Sequence, residues 1–219
     1  MNKAVVLLSG GLDSTTLLYY AKSKRFQISC LIFDYGQRHR KEIHNAEIIA
    51  KQRKVAYKIV QITLPWQGSS LLDKNVNLPQ RKIINPKESP STYVPARNII
   101  FLSFAASYAE AIGANAIFIG ANAIDYSGYP DCRSDFMKAF EFALRKGMKT
   151  GVQNKPIQIH TPFIHKTKAQ IIQLGLKLKV PYGLTWSCYK GVKKPCGVCD
   201  SCLLRAKGFE ILKQKDPAL

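Results

Sequence analysis

Short apolar runs alternate with longer stretches of helical period along most of the chain. Ala4-Val5-Val6-Leu7-Leu8 reads as a strand and leads through a glycine pair into the helix-like Thr15 to Tyr20. Phe26 to Phe33 is a β-rich apolar run, His39 to Lys54 a polar stretch of helical character, and Tyr57 to Thr63 a third strand. Arg97 to Ile112 is apolar almost all round, as a buried helix is, and Asn115 to Gly120 supplies a fourth strand. Ser134 to Lys149 has apolar residues at helical spacing behind Ser134, a candidate N-cap. Ile157 to Pro162 makes the last strand, and a helix opens around Lys166 to Gln170 and ends near Gly175. This alternation predicts an α/β fold, a doubly wound and mainly parallel sheet with helices on both faces. In such a sheet ligands sit at the carboxyl ends of the strands.

Two stretches break the alternation. Pro65 to Pro95 holds five prolines and no sustained period, and an excursion of that length in a compact domain is expected to act as a lid or an oligomer contact, with a plain disordered insertion as the alternative from composition. Ala121 to Arg133 is turn-rich but follows the fourth strand, so its Asp125, Tyr126 and Asp131 are expected to face the same crevice as the first loop. Pro95 makes its predecessor extended and starts a helix just after itself, leaving Arg97 at a helix start. A cation is unfavourable there unless an anion is near, and Lys168 raises the same question.

Ser9-Gly10-Gly11-Leu12-Asp13-Ser14 carries the strongest chemistry. Glycines between a strand and a helix let the backbone aim N–H groups at phosphate oxygens, and the helix dipole adds to the attraction. Ser9, Ser14 and Thr15 supply hydroxyls. No lysine stands where a Walker loop needs one.

Composition narrows the classes. The 219 residues, 46% hydrophobic, suffice for one sizeable core with a small appendage. No apolar run approaches the roughly 20 residues of a membrane span, and no signal-peptide pattern precedes the first strand, so a cytoplasmic location is expected. Thirty-three basic against 14 acidic residues give a net charge of +19, an attraction for polyanions without the aromatic interleaving of a nucleic-acid platform. The four histidines show no metal-like spacing, and His39, His44, His160 and His165 are given no chemistry.

Of six cysteines, Cys188, Cys196, Cys199 and Cys202 cluster at spacings that suit four thiolate ligands on one metal. A closed tetrahedral Zn²⁺ site of structural type is expected, with an iron–sulfur cluster as the alternative. Residues 1–180 are thus read as a nucleotide-binding domain and 181–219 as a four-cysteine zinc-binding segment with a terminal helix.

Together, S-G-G-L-D-S at Ser9 to Ser14, F-D-Y-G-Q-R-H at Phe33 to His39, Y-V-P-A-R-N at Tyr93 to Asn98, D-Y-S-G-Y-P-D-C-R at Asp125 to Arg133 and the cysteine tail closely resemble the 7-cyano-7-deazaguanine synthase family, over nearly the whole chain. The resemblance implies an adenine nucleotide α-hydrolase-like fold and ATP-dependent conversion of 7-carboxy-7-deazaguanine and ammonia to the nitrile, through an amide, in queuosine precursor synthesis. It implies that Ser9, Gly10, Gly11, Asp13, Ser14 and Thr15 hold phosphates, with Leu8, Leu12 and Thr16 beside them and Asp13 helping to place Mg²⁺. Arg97 and Lys168 would stabilise charge in phosphoryl transfer, and Phe33, Asp34 and Tyr35 would bind adenine and ribose. Asp125 or Asp131 would read the base edge while Tyr126 or Tyr129 stacks on it. A homodimer with no direct need of nucleic acid is the implied assembly. The same loop occurs in tRNA-modifying ATP pyrophosphatases, the alternative reading, though 219 residues hold no separate RNA-binding domain. A non-catalytic nucleotide- or zinc-binding module is the third.

Overall fold

The computed structural model describes residues 2–66, 68–73, 75–78, 90–124 and 128–218. Its elements run β1 (Lys3–Leu7), α1 (Leu12–Ser23), β2 (Gln27–Asp34), α2 (Lys41–Gln52), β3 (Ala56–Gln61), α3 (Arg97–Ile112), β4 (Ala116–Phe118), α4 (Ser134–Gly147), α5 (Lys149–Val152), β5 (Gln158–His160), α6 (Lys168–Lys177) and α7 (Asp200–Ile211). The strands form one sheet in the order β3-β2-β1-β4-β5, and every neighbouring pair is parallel. The expected α/β class therefore holds. The chain adds strands outward from β1 to β3 and then crosses to the other side of β1, so the strand order reverses between β1 and β4, where such sheets open a crevice.

The pleat sorts the sheet residues into two cores. Ala4 and Val6 of β1, Cys30 and Ile32 of β2 and Phe118 of β4 join Leu17, Ile49, Ile171 and Phe209 from α1, α2, α6 and α7. On the opposite face Val5, Leu7, Leu31, Phe33 and Ile117 join Leu102, Ala105 and Ala109 of α3 and Met137 of α4. Burial of strands on both faces explains why they read as continuous apolar runs. Among the described residues, no helix is long and apolar enough to cross a membrane.

Three boundaries depart from the expected ones for identifiable reasons. Helix α1 begins at Leu12 rather than Thr15, with Gly11 extended at φ −75°, ψ 170°, so the glycine loop runs straight into the first helical turn and sets Asp13 there. Ser134 is the first helical residue of α4 and not its cap; Arg133 holds the N-cap place without a side-chain bond. Helix α6 continues through Gly175 to Lys177. That glycine permits close approach rather than termination, because a Cβ there would lie 1.8 Å from Tyr182 Oη.

The start of α3 is built from a distance. Its N-cap, Ala96, is left-handed at φ 55° and offers no side-chain acceptor. The Asp131 carboxylate, 33 residues on, accepts from Asn98 N at 2.9 Å. An acid there satisfies an orphan donor and complements the helix dipole. The described part of the proline-rich excursion is anchored: Leu71 and Leu78 are buried in the α3-side core, and Arg38 Nη2 donates to the carbonyls of Asp73 and Val76. Of the expected lid, residues 67, 74 and 79–89 lie outside the described residues.

Candidate active site

At the carboxyl edge of β1, β2 and β4 opens a cavity of about 230 Å³. Leu8, Ser9, Gly11, Leu12, Asp13 and Ser14 form one wall, and Phe33 and Tyr35 follow from the end of β2. Arg97, Tyr129 and Lys168 join them from three later parts of the chain. Thr15, Thr16, Asp34 and Asp131 are not among the lining residues. Thr16 is fully buried, donating from Oγ1 to Leu12 O at 2.8 Å and meeting Tyr182 Oη at 2.9 Å. Thr15 is also buried, and its Oγ1 has no partner among the described residues. Asp34 pairs with Arg40, and Asp131 turns onto α3. Asp125 and Tyr126 lie outside the described residues.

The glycine loop is folded on itself. Ser9 N donates to Ser14 Oγ at 3.1 Å, Gly11 N to Ser9 Oγ at 3.3 Å, and the two hydroxyls lie 2.9 Å apart. Two of the loop's N–H groups thus donate to its own serine hydroxyls at the start of α1. Gly10 secures the loop to α2. It sits at φ +82°, and a Cβ there would lie 2.2 Å from Glu42 O and 2.8 Å from Ala46 N, both backbone atoms. Gly10→Ala is accordingly expected to lower the free energy of unfolding by about 3 kcal/mol, combining left-handed strain with overpacking. A urea midpoint equal to that of the parent chain would contradict this.

Lys168 is the first residue of α6, behind a capping box in which Thr167 Oγ1 accepts from Gln170 N and Gln170 Oε1 from Thr167 N. Its Nζ donates to both carboxylate oxygens of Asp13 at 2.8 and 2.6 Å, and the lysine is 8% exposed. Asp13, which lines the cavity, offers the oxygen donors that a Mg²⁺ ion with phosphate ligands would use.

Arg97 is partly buried at the first position of α3, with Nη1 donating to Tyr35 Oη at 3.4 Å. Burial disfavours its charge, but Tyr35, Tyr129, Cys132 and Asp131 together outweigh that cost and raise its pKa, so it remains a guanidinium. Burial pushes Tyr129 up to about 12 and Cys132 up to about 11, the latter also opposed by Asp131. Cys132 is therefore a thiol at neutral pH, and its sulfur accepts from Asn98 Nδ2 at 3.2 Å. That environment is the opposite of one that activates a cysteine nucleophile.

The four clustered cysteines converge. The sulfurs of Cys188, Cys196, Cys199 and Cys202 all lie within 4.8 Å of one another. Backbone N–H groups of Lys190 and Cys196 approach Cys188 Sγ at 3.4 Å, and that of Cys199 approaches Cys196 Sγ at 3.4 Å. Four convergent sulfurs, two of them met by these N–H donors, fit a closed tetrahedral metal site. This knuckle is tied to the cavity: Trp186 N donates to Gly10 O and its Nε1 to Cys188 O, both at 2.9 Å.

Several cavity residues escaped sequence reasoning. His39, Glu42, Asn98, Trp186, Tyr189 and Arg205 all line it. The Q-R-H run after the second strand was the available signal for the first. Nothing local marks Arg205, which reaches the site through a buried bidentate pair with Asp216, at 2.7 and 2.8 Å, that anchors the C-terminal segment.

A family model described as queuosine biosynthesis protein QueC matches residues 3–213. The 7-cyano-7-deazaguanine synthase of Thermoplasma volcanium is 55% identical over 216 residues, covering 98% of this chain and 89% of the relative. That of Nostoc sp. strain PCC 7120 is 50% identical over 219 residues, covering 98% and 96%. Among solved structures, NMN synthetase from Francisella tularensis superposes with a TM-score of 0.54 at 13% identity, covering 98% of this chain and 78% of that one, a likeness of fold alone. A match running from the first strand to beyond α7, through both the glycine loop and the cysteine knuckle, establishes that the chain belongs to the QueC family of 7-cyano-7-deazaguanine synthases.

Proposed function

We propose that this protein is an ATP-dependent ligase that converts 7-carboxy-7-deazaguanine and ammonia to 7-cyano-7-deazaguanine, a precursor of queuosine. The observation carrying the reading is the meeting of the glycine loop, the Lys168–Asp13 pair and the Arg97 guanidinium in one cavity of a chain of this family. A carboxylate resists ammonia until one oxygen becomes a leaving group. Its oxygen attacks the α-phosphorus of ATP and pyrophosphate departs. Ammonia then attacks the acyl carbon, and AMP leaves to give the amide. The amide oxygen then attacks the α-phosphorus of a second ATP and displaces pyrophosphate, and loss of AMP with both protons of the amide nitrogen yields the nitrile.

In this reading Ser9, Gly10, Gly11, Ser14 and Thr15 hold the β- and γ-phosphates, and Asp13 helps hold Mg²⁺, which when bound offsets phosphate charge. Arg97 and Lys168 stabilise the charge that develops during transfer, where fixed cations act most strongly. Phe33, Asp34 and Tyr35 take the adenosine. Asp125 or Asp131 reads the base edge, and Tyr126 or Tyr129 stacks on it. The cysteine knuckle, assigned to zinc, holds residues 181–219 against the nucleotide-binding body of 1–180. A cytoplasmic homodimer using free ammonia completes the proposal.

The test is incubation of the purified protein with 7-carboxy-7-deazaguanine, ammonium, Mg²⁺ and ATP, followed by mass spectrometry and nucleotide analysis. The nitrile should appear with AMP and pyrophosphate. An untouched deazaguanine, with ATP consumed only when tRNA is added, would move the protein to the tRNA-modifying class.

A further inference from the structure

Residues 33–42 form a hydrogen-bonded chain whose direction is set at its backbone end. Tyr35 N can only donate, and it donates to Gln37 Oε1 at 2.9 Å. Gln37 must then present its amide nitrogen elsewhere: Nε2 donates to Phe33 O at 3.1 Å and, more weakly, to Glu42 Oε1 at 3.4 Å. The same Glu42 oxygen lies 3.2 Å from His39 Nε2. A carboxylate accepts, so His39 carries its hydrogen on Nε2, leaving the lone pair on Nδ1. Nδ1 is buried and has no partner among the described residues, and both His39 and Glu42 line the cavity.

His39 is 4% exposed. The group facing it from another element is Tyr189, with ring centroids 5.7 Å apart at 50°. The cysteine-bearing segment closes over it, since a Cβ on Gly191 would lie 2.5 Å from Arg38 O. A buried imidazole with one nitrogen held by a carboxylate and the other without a partner among the described residues is the arrangement of an oriented general base.

We infer that His39 is the catalytic base for nitrogen, with Glu42 as its positioning residue. This rests on the proposed conversion of acid to nitrile. When ammonia adds to the activated acyl carbon, the new C–N bond leaves a surplus proton on nitrogen. His39 Nδ1 takes that proton as the C–O bond breaks and AMP departs. The amide nitrogen carries two protons: one is lost to water as the amide oxygen displaces pyrophosphate from a second ATP, and Nδ1, its first proton already passed to water, takes the other. The freed electron pair becomes the last C–N bond, and AMP leaves again. Glu42 steadies the imidazolium through Nε2–H, and the proton passes to water as product leaves.

The experiment separates activation from nitrogen chemistry. Exchange of labelled pyrophosphate into ATP, driven by 7-carboxy-7-deazaguanine without ammonium, reports the first activation. Nitrile formation reports the whole sequence. His39→Gln keeps an N–H for Glu42 but has no basic nitrogen. Its exchange rate should stay within about threefold of the parent while nitrile formation falls about 100- to 1000-fold. Glu42→Gln should show the same split, with a nitrile loss on the order of tenfold, so the inference is still tested if His39→Gln does not fold. Equal losses in both assays, or no loss in either, would overturn it. Absence of acid-driven exchange in the parent protein would instead overturn the proposed reaction, and this assignment with it.

Discussion

Lys168→Ala is expected to slow acid-driven pyrophosphate exchange on the order of a thousandfold, the scale seen when a fixed donor to developing charge is removed. The lysine is buried against Asp13, with both carboxylate oxygens within 2.8 Å of Nζ. Phosphate arriving at the glycine loop would meet a cation already desolvated and oriented, so little reorganisation accompanies the reaction. The same burial makes the pair a structural liability. Removing only the lysine leaves a carboxylate partly buried and unsatisfied, a change that costs about 3 kcal/mol or more. Stability and activity should therefore separate in the double variant. Asp13→Ala with Lys168→Ala should regain most of the lost thermal midpoint and none of the exchange. Recovery of exchange in the double variant, or an active Lys168→Ala protein, would refute the role given to this lysine.

The second large effect concerns the cysteines. Cys202→Ser, or chelation of the parent protein, should lower bound metal from about one ion per chain to a small fraction of that. Structural tetrathiolate sites supply much of the folding free energy of segments with little apolar core. Here the segment's own cluster consists of Trp186 and the cysteines. A loss of about 4 kcal/mol would lower the midpoint on the order of 10 °C at this chain length. Activity should fall as well, because the knuckle is hydrogen-bonded to the glycine loop through Trp186 and packs α7 onto α6, where a Cβ on Gly208 would lie 2.8 Å from Lys168 Cγ. Metal analysis, thermal unfolding and limited proteolysis read this out together. A metal-free protein with an unchanged midpoint and an intact 188–219 segment would contradict it. Recovery of four bound iron atoms per chain would replace zinc by a cluster while leaving the structural role in place.

What could be read from the sequence was what depends on neighbours along the chain. The bounds of α3 emerge from Arg97 to Ile112 because apolar periodicity and Pro95 are local signals. The β1–loop–α1 unit and the cysteine spacing are equally local, and the sheet class followed from the alternation of elements. Local rules missed the partners that come from a distance. Asp131 caps α3 across 33 residues, and Gly175 serves Tyr182 rather than a helix end. The sequence by itself therefore determined the layer architecture, the glycine loop between β1 and α1 and the four cysteines that converge. Only the tertiary structure decided that Asp13 meets Lys168 across 155 positions, that Asp131 faces a helix start, and that His39 lines the cavity with its buried Nδ1 unpartnered among the described residues. Period and spacing report which face of an element is apolar. Pairing between elements depends on strand order, on the crossing from one side of β1 to the other, and on which backbone groups each side chain must satisfy once buried.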